Sequence, residues 1–131
     1  MLGRPRGWLI AVALAAPLGF LVWKASLSQE FNLTDPWPTR PGIRCLLLTF
    51  SFALAPLGAL FFVRRGSDPT HPRSLGLVLA VAAGTSAAAL VDLWCPVGHL
   101  RHLVMGHVLP VALLGLVGIW LGQRLLAVRV K

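Results

Sequence analysis

Acidic residues are scarce in this 131-residue chain: four Asp or Glu stand against twelve Lys or Arg, for a formal net charge of +8. Charged residues of both signs make up only 12 % of the chain, roughly half the share of a soluble domain. With 56 % apolar residues, that excludes both an ordinary soluble enzyme and a disordered tail. Cysteine is limited to two residues, which excludes a disulfide-dense secreted module. What is abundant is apolar, and the mean hydropathy is +0.77. A chain this short holds one domain, and its composition makes that domain a membrane protein.

The basic excess, with a pI near 11.6, would point to nucleic acid in a soluble chain. Here the basic residues fall in short runs between apolar stretches, with no basic helix to follow a phosphate backbone. Membrane lipid, through anionic headgroups and the positive-inside rule, is the simpler partner, and no direct contact with nucleic acid is expected.

Four apolar stretches divide the chain into expected membrane spans at 8–23, 43–63, 75–94 and 103–121. The first is short, at 16 residues, and its terminal Trp8 and Trp23 suit the two headgroup levels. Ala25-Ser26-Leu27-Ser28 is only a fair cleavage site, so this stretch reads as a span rather than a signal peptide. The second has 21 residues, about 31 Å of helix, which matches the hydrocarbon core. Continuous apolar runs exclude the alternating pattern of a membrane β-barrel. The expected fold is therefore all-α, a four-transmembrane-helix bundle.

Eight Lys or Arg flank one side of these spans (Arg4, Arg6, Arg64, Arg65, Arg73, Arg124, Arg129, Lys131) and four the other (Lys24, Arg40, Arg44, Arg101). That asymmetry puts both termini in the cytoplasm. Small residues mark contact faces between spanning helices, because lipid supplies no hydrophobic force between them. Gly76, Ala80, Gly84 and Ala88 form one such stripe, continuing to Asp92, and Gly118 and Gly122 form a shorter one. The third span is expected to be the central packing helix.

Cys45 opens the second span and Cys95 closes the third, so this topology brings both to the outer membrane face. Ends of neighbouring antiparallel helices can approach the 4.4–6.8 Å Cα separation of a disulfide, and an oxidising outer compartment would preserve one. His99 and His102 follow Cys95 within eight residues, and His107 lies further along. Thiolate and imidazole suit zinc, cadmium or copper, so Cys45, Cys95, His99, His102 and His107 form a candidate ligand set. The alternative is wet interfacial histidines beside two structural cysteines, because the spacing matches no closed zinc motif. Arg44 would favour a thiolate at Cys45, whereas an ionised Asp92 would oppose one at Cys95. Asp92 can equally pair with Arg44 or Arg101.

Enzyme classes fare badly. Spans one to three lack the facing histidines of a membrane cytochrome b, and neither a C-x-x-C pair nor a G-x-S-x-G nucleophile motif is present. His71, between Thr70 and Pro72, reads as turn chemistry. The expectation is no enzyme.

The run DLWCPVGHLRHLVMGHVLPVALLGLVG, with Cys95-Pro96, His107 and Pro110, resembles the last two spans of the NrsF family of bacterial inner-membrane proteins. Arg44-Cys45 resembles that family's earlier cysteine, and Arg64-Arg65 leading to His71-Pro72-Arg73 is similar to its loop. The resemblance implies a negative regulator of an extracytoplasmic-function (ECF) sigma factor, held at the membrane and released by metal or oxidative stress sensed at Cys45 and Cys95. Family members carry more spans than the four seen here, so the chain reads as an N-terminally short member. The rival function is a small carrier for a soft metal ion, which needs ligands at successive depths rather than mainly at one face. A structural subunit with an inert cysteine bridge is third.

Overall fold

Ile43–Val63 forms the first long helix, α1. Gly42 precedes it at φ 80°, a left-handed conformation open to glycine without steric cost, and its carbonyl accepts the first-turn N–H of Leu46 at 2.9 Å. Pro72–Asp92 is α2. Proline in the first turn fixes its start, since the missing N–H would have no intrahelical partner there. Leu100–Leu126 is α3, an α-helix interrupted by π-helical turns at Val104–Val108 and Gly122–Leu126. This computed structural model describes residues 7–8, 11–12, 15, 19–20, 22–24, 26–27, 42–65, 70–95 and 97–127.

Among the described residues all regular structure is helical. Three helices, α1, α2 and α3, are long and apolar enough to cross a membrane. The expected span at 8–23 includes many residues outside the described ones; those described between 7 and 27 are helical. Large apolar side chains point outward along the bundle: Phe62 is 73 % exposed and Trp94 89 %. Water would penalise such a surface, whereas lipid covers it without cost.

The small stripe of α2 is the centre of the packing. Gly76, Ala80, Gly84 and Ala88 are all buried, and α2 lies against both α1 and α3. The seam with α3 is set by backbone contact: a Cβ on Gly118 would collide with Ala80 and the Gly76 carbonyl, and one on Gly76 would collide with Gly118. Further along, Gly84 faces Val111 and Leu114. On the other side of α2, Ala83 and Ala87 share a core with Ala53, Leu57 and Phe61 of α1. Small side chains thus let van der Waals contact replace the hydrophobic drive that lipid does not provide.

Candidate metal centre

Antiparallel packing of α1 on α2 brings the start of one helix to the end of the other, and α3 begins at that same end. Cys45 lies in the first turn of α1, and Cys95 follows α2 after a short turn in which its N–H bonds the Asp92 carbonyl at 3.1 Å. The two sulfurs are 3.6 Å apart and both cysteines are free thiols, Cys45 partly exposed and Cys95 buried.

His102 and His107 join them from α3. Five residues apart on an α-helix is roughly 140° around the axis, on different faces. The π turn at Val104–Val108 widens the spiral by one residue per hydrogen-bonded ring, and the two imidazoles come to 5.8 Å between ring centroids. His102 Nε2 sits 3.1 Å from Cys95 Sγ. His107 is 1 % exposed, and neither of its ring nitrogens has a close hydrogen-bond partner, the Ala88 backbone being the polar group near the ring. An unsatisfied buried polar group costs about 1–3 kcal/mol, so the position is one that a ligand would stabilise.

The π turn has identifiable supports. Pro110 lacks the N–H that an α-helix would aim at the Gly106 carbonyl, and Thr49 of α1 donates its hydroxyl to that carbonyl at 3.4 Å. Gly106 also lets α1 come close, since a Cβ there would stand 3.0 Å from the Cys45 Cβ. A Cβ on Gly42 would be equally tight against the His102 carbonyl, at 3.0 Å. The residues that shape the turn therefore also place Cys45 beside the histidines.

Each of Cys45, Cys95, His102 and His107 offers one ligand atom, and these four atoms lie within 4.8 Å of one another, a group suited to holding a metal ion. His99 stands apart from the group. Its backbone is extended, and its ring Nδ1 accepts the Arg101 N–H at 3.3 Å as the cap of α3. Arg44 is exposed beside Cys45, and Pro96 lies outside the described residues.

Asp92 pairs with a residue that the sequence reading counted only as an interfacial charge. Lys24 Nζ is 3.1 Å from Asp92 Oδ1 and donates to the Cys95 carbonyl at 3.3 Å; Arg44 and Arg101 are exposed instead. Both side chains of the pair are about nine-tenths buried, at 10 % and 9 % exposure. A buried ammonium demands such a partner. The N-terminal helical residues are thereby tied to the loop that carries Cys95, and Phe20 lies 6.0 Å from the His107 ring.

Oxidation tests the thiol geometry directly. Diamide treatment of the purified protein should join Cys45 to Cys95, removing both thiols from maleimide labelling, while Cys45→Ser keeps Cys95 reactive after denaturation. The sulfurs need to approach only from 3.6 Å to about 2.05 Å.

Helices of this length and apolarity around a buried thiol–imidazole cluster define a membrane-type helical protein with a soft-ligand centre at one end. The chain belongs to the NrsF family, negative regulators of sigma F, whose family profile matches residues 1–127. No curated protein and no solved structure matches it.

Proposed function

We propose that this chain is a bacterial inner-membrane regulator that restrains an ECF sigma factor and reads its signal at Cys45 and Cys95. It acts by binding rather than by catalysis. In this reading the bundle spans the membrane four times with both termini in the cytoplasm, the sigma factor docks on the cytoplasmic face, and lipid surrounds the apolar flanks. Metal or oxidative stress acting on the thiols shifts helix packing and loosens the grip on the sigma factor.

The observation that carries this reading is the separation of two chemistries along the bundle. Thiols and imidazoles meet at the end where α1 and α3 begin, whereas Arg64, Arg65, Arg73 and Arg124 lie toward the opposite end. Positive charge collects on the cytoplasmic side of spanning helices, which supports placing the cluster outside. Family membership supports the sigma factor as partner. A cluster confined to one depth favours signal input over metal transport, which would require a succession of sites.

Co-expression with each ECF sigma factor of the source bacterium tests this. The full-length membrane protein should co-purify with one of them and silence a reporter dependent on it, and Cys45→Ser with Cys95→Ser should keep silencing but lose the response to cadmium or diamide. Failure to capture any of them would sink the proposal. So would cysteines that an impermeant maleimide reaches only from the cytoplasmic side.

A further inference from the structure

We infer that Cys45, Cys95, His102 and His107 form a closed four-coordinate site for a divalent cation of the zinc and cadmium class, with the π turn of α3 delivering its fourth ligand. The inference deepens the signal-input reading and rests on that reading for its physiological role, while its geometry stands independently.

Distances select the coordination. Zn–S bonds of about 2.3 Å and Zn–N bonds of about 2.0–2.1 Å in a tetrahedron imply roughly 3.8 Å between sulfurs and roughly 3.6 Å between sulfur and nitrogen. The Sγ–Sγ separation is 3.6 Å, Cys95 Sγ to His102 Nε2 is 3.1 Å, and every pair among the four ligand atoms lies within 4.8 Å. Changes in these separations of at most about 1.5 Å would complete the tetrahedron. Cys95, His102 and His107 are buried and Cys45 is half-buried, so the set closes without a protein-free corner of the kind a catalytic zinc keeps.

His107 supplies the independent sign of a ligand. It is buried, has no close hydrogen bond at either ring nitrogen although the Ala88 backbone lies near the ring, and is brought beside His102, tilted 47° to it, by a π turn, and π turns of this kind occur frequently at functional sites. The Ala88 backbone can serve at most one of the two nitrogens, which leaves the other for a metal, the usual arrangement of a ligating imidazole whose second nitrogen faces a backbone carbonyl.

Charge selects the ion. Binding displaces one proton from each thiol, so a divalent ion with two thiolates and two neutral imidazoles leaves the site with no net charge. Lys24 and Asp92 beside it also cancel. A monovalent ion on the same ligands would leave one negative charge in a largely buried place, which is costly. Two sulfurs and two nitrogens in a tetrahedron fit a d10 dication.

The experiment uses the full-length protein, purified reduced in detergent, with Co²⁺ as spectroscopic probe and Zn²⁺ as competitor. The expected result is one Co²⁺ per chain, with intense tetrahedral ligand-field bands and sulfur-to-cobalt charge transfer, all lost on adding one equivalent of Zn²⁺. His107→Ala should weaken binding by more than the roughly 10–100-fold seen for outer-shell changes, and His99→Ala should leave it unchanged. Cobalt spectra of octahedral type, or equal affinity in His107→Ala and wild type, would overturn the inference. His107→Gln, checked for an unchanged far-ultraviolet circular dichroism spectrum, separates ligand loss from misfolding and should match His107→Ala. Sigma-factor capture by these same variants in chelator distinguishes the two readings: capture without cobalt binding removes only this inference, whereas cobalt binding without capture removes the proposed function and leaves the site.

Discussion

Gly118→Val is expected to separate α2 from α3 and strongly destabilise the bundle. No rotamer relieves it, because a Cβ at position 118 meets the Ala80 side chain and the Gly76 carbonyl, and backbone cannot rotate away. Overpacking of this kind costs about 1–3 kcal/mol or more, and in a bundle held largely by close approach the cost falls on the van der Waals contact that joins these two helices. The thermal midpoint in detergent should fall by many degrees, and accumulation in the membrane should drop with it. Gly58→Ala is the matched control. Nothing lies within 4 Å of a Cβ at position 58 in α1, and Ala is the better helix former, so this variant should equal or exceed wild type. Equal stability of Gly118→Val and Gly58→Ala would mean that α2 and α3 do not meet through their backbones.

The seam also joins packing to chemistry. Cys95 follows α2 and His107 sits on α3, so any variant that parts these helices should weaken metal binding even though it lies several turns away. Gly118→Ala, a milder intrusion, should give an intermediate stability and an intermediate cobalt affinity.

Much of this was legible in the residues. The stripe from Gly76 to Ala88 follows a four-residue step, and although small residues are common in spanning helices anyway, their register pointed to close helix approach, which the buried stripe bears out. Cys45 and Cys95 are brought to one end by topology alone, since antiparallel neighbours with a short connection must align the start of one with the end of the next. His102 and His107 were harder, because their spacing of five residues fits the face of no α-helix. Gly106 and Pro110 around His107 were the available signal: one weakens the ladder and the other removes a donor, and together they permit a π turn. His99 shows the converse. Proximity in sequence to Cys95 suggested a ligand, yet the extended backbone before α3 puts its ring to work as a cap. The pairing of Asp92 with Lys24 depends on the vertical register of separate helices, which local patterning does not encode.

That ion pair carries the other large effect. Lys24→Met keeps most of the unbranched side chain and removes its charge, leaving Asp92 buried at the edge of the cluster with no ammonium beside it. Losing one member of a buried pair costs about 3–5 kcal/mol, and here the Cys95 carbonyl loses a donor as well. We expect Lys24→Met to lower the thermal midpoint sharply and to speed alkylation of Cys95, because its loop is no longer tied to the N-terminal helical residues. Asp92→Asn should lower the midpoint more mildly, since an amide can still accept a hydrogen bond from Lys24, and should leave alkylation of Cys95 slow because Lys24 still donates to its carbonyl. The double variant Lys24→Met with Asp92→Leu removes both charges and should recover most of the stability, as apolar replacements of buried pairs often do. It would not restore the slow alkylation of Cys95, because the tie to that carbonyl stays broken. Losses in the double variant equal to the sum of those of Lys24→Met and Asp92→Leu measured singly would show that the charges do not interact. A recovered midpoint with a still-mobile Cys95 loop would instead separate two roles of Lys24: neutralising Asp92, and fastening the N-terminal helical residues to the loop that carries Cys95.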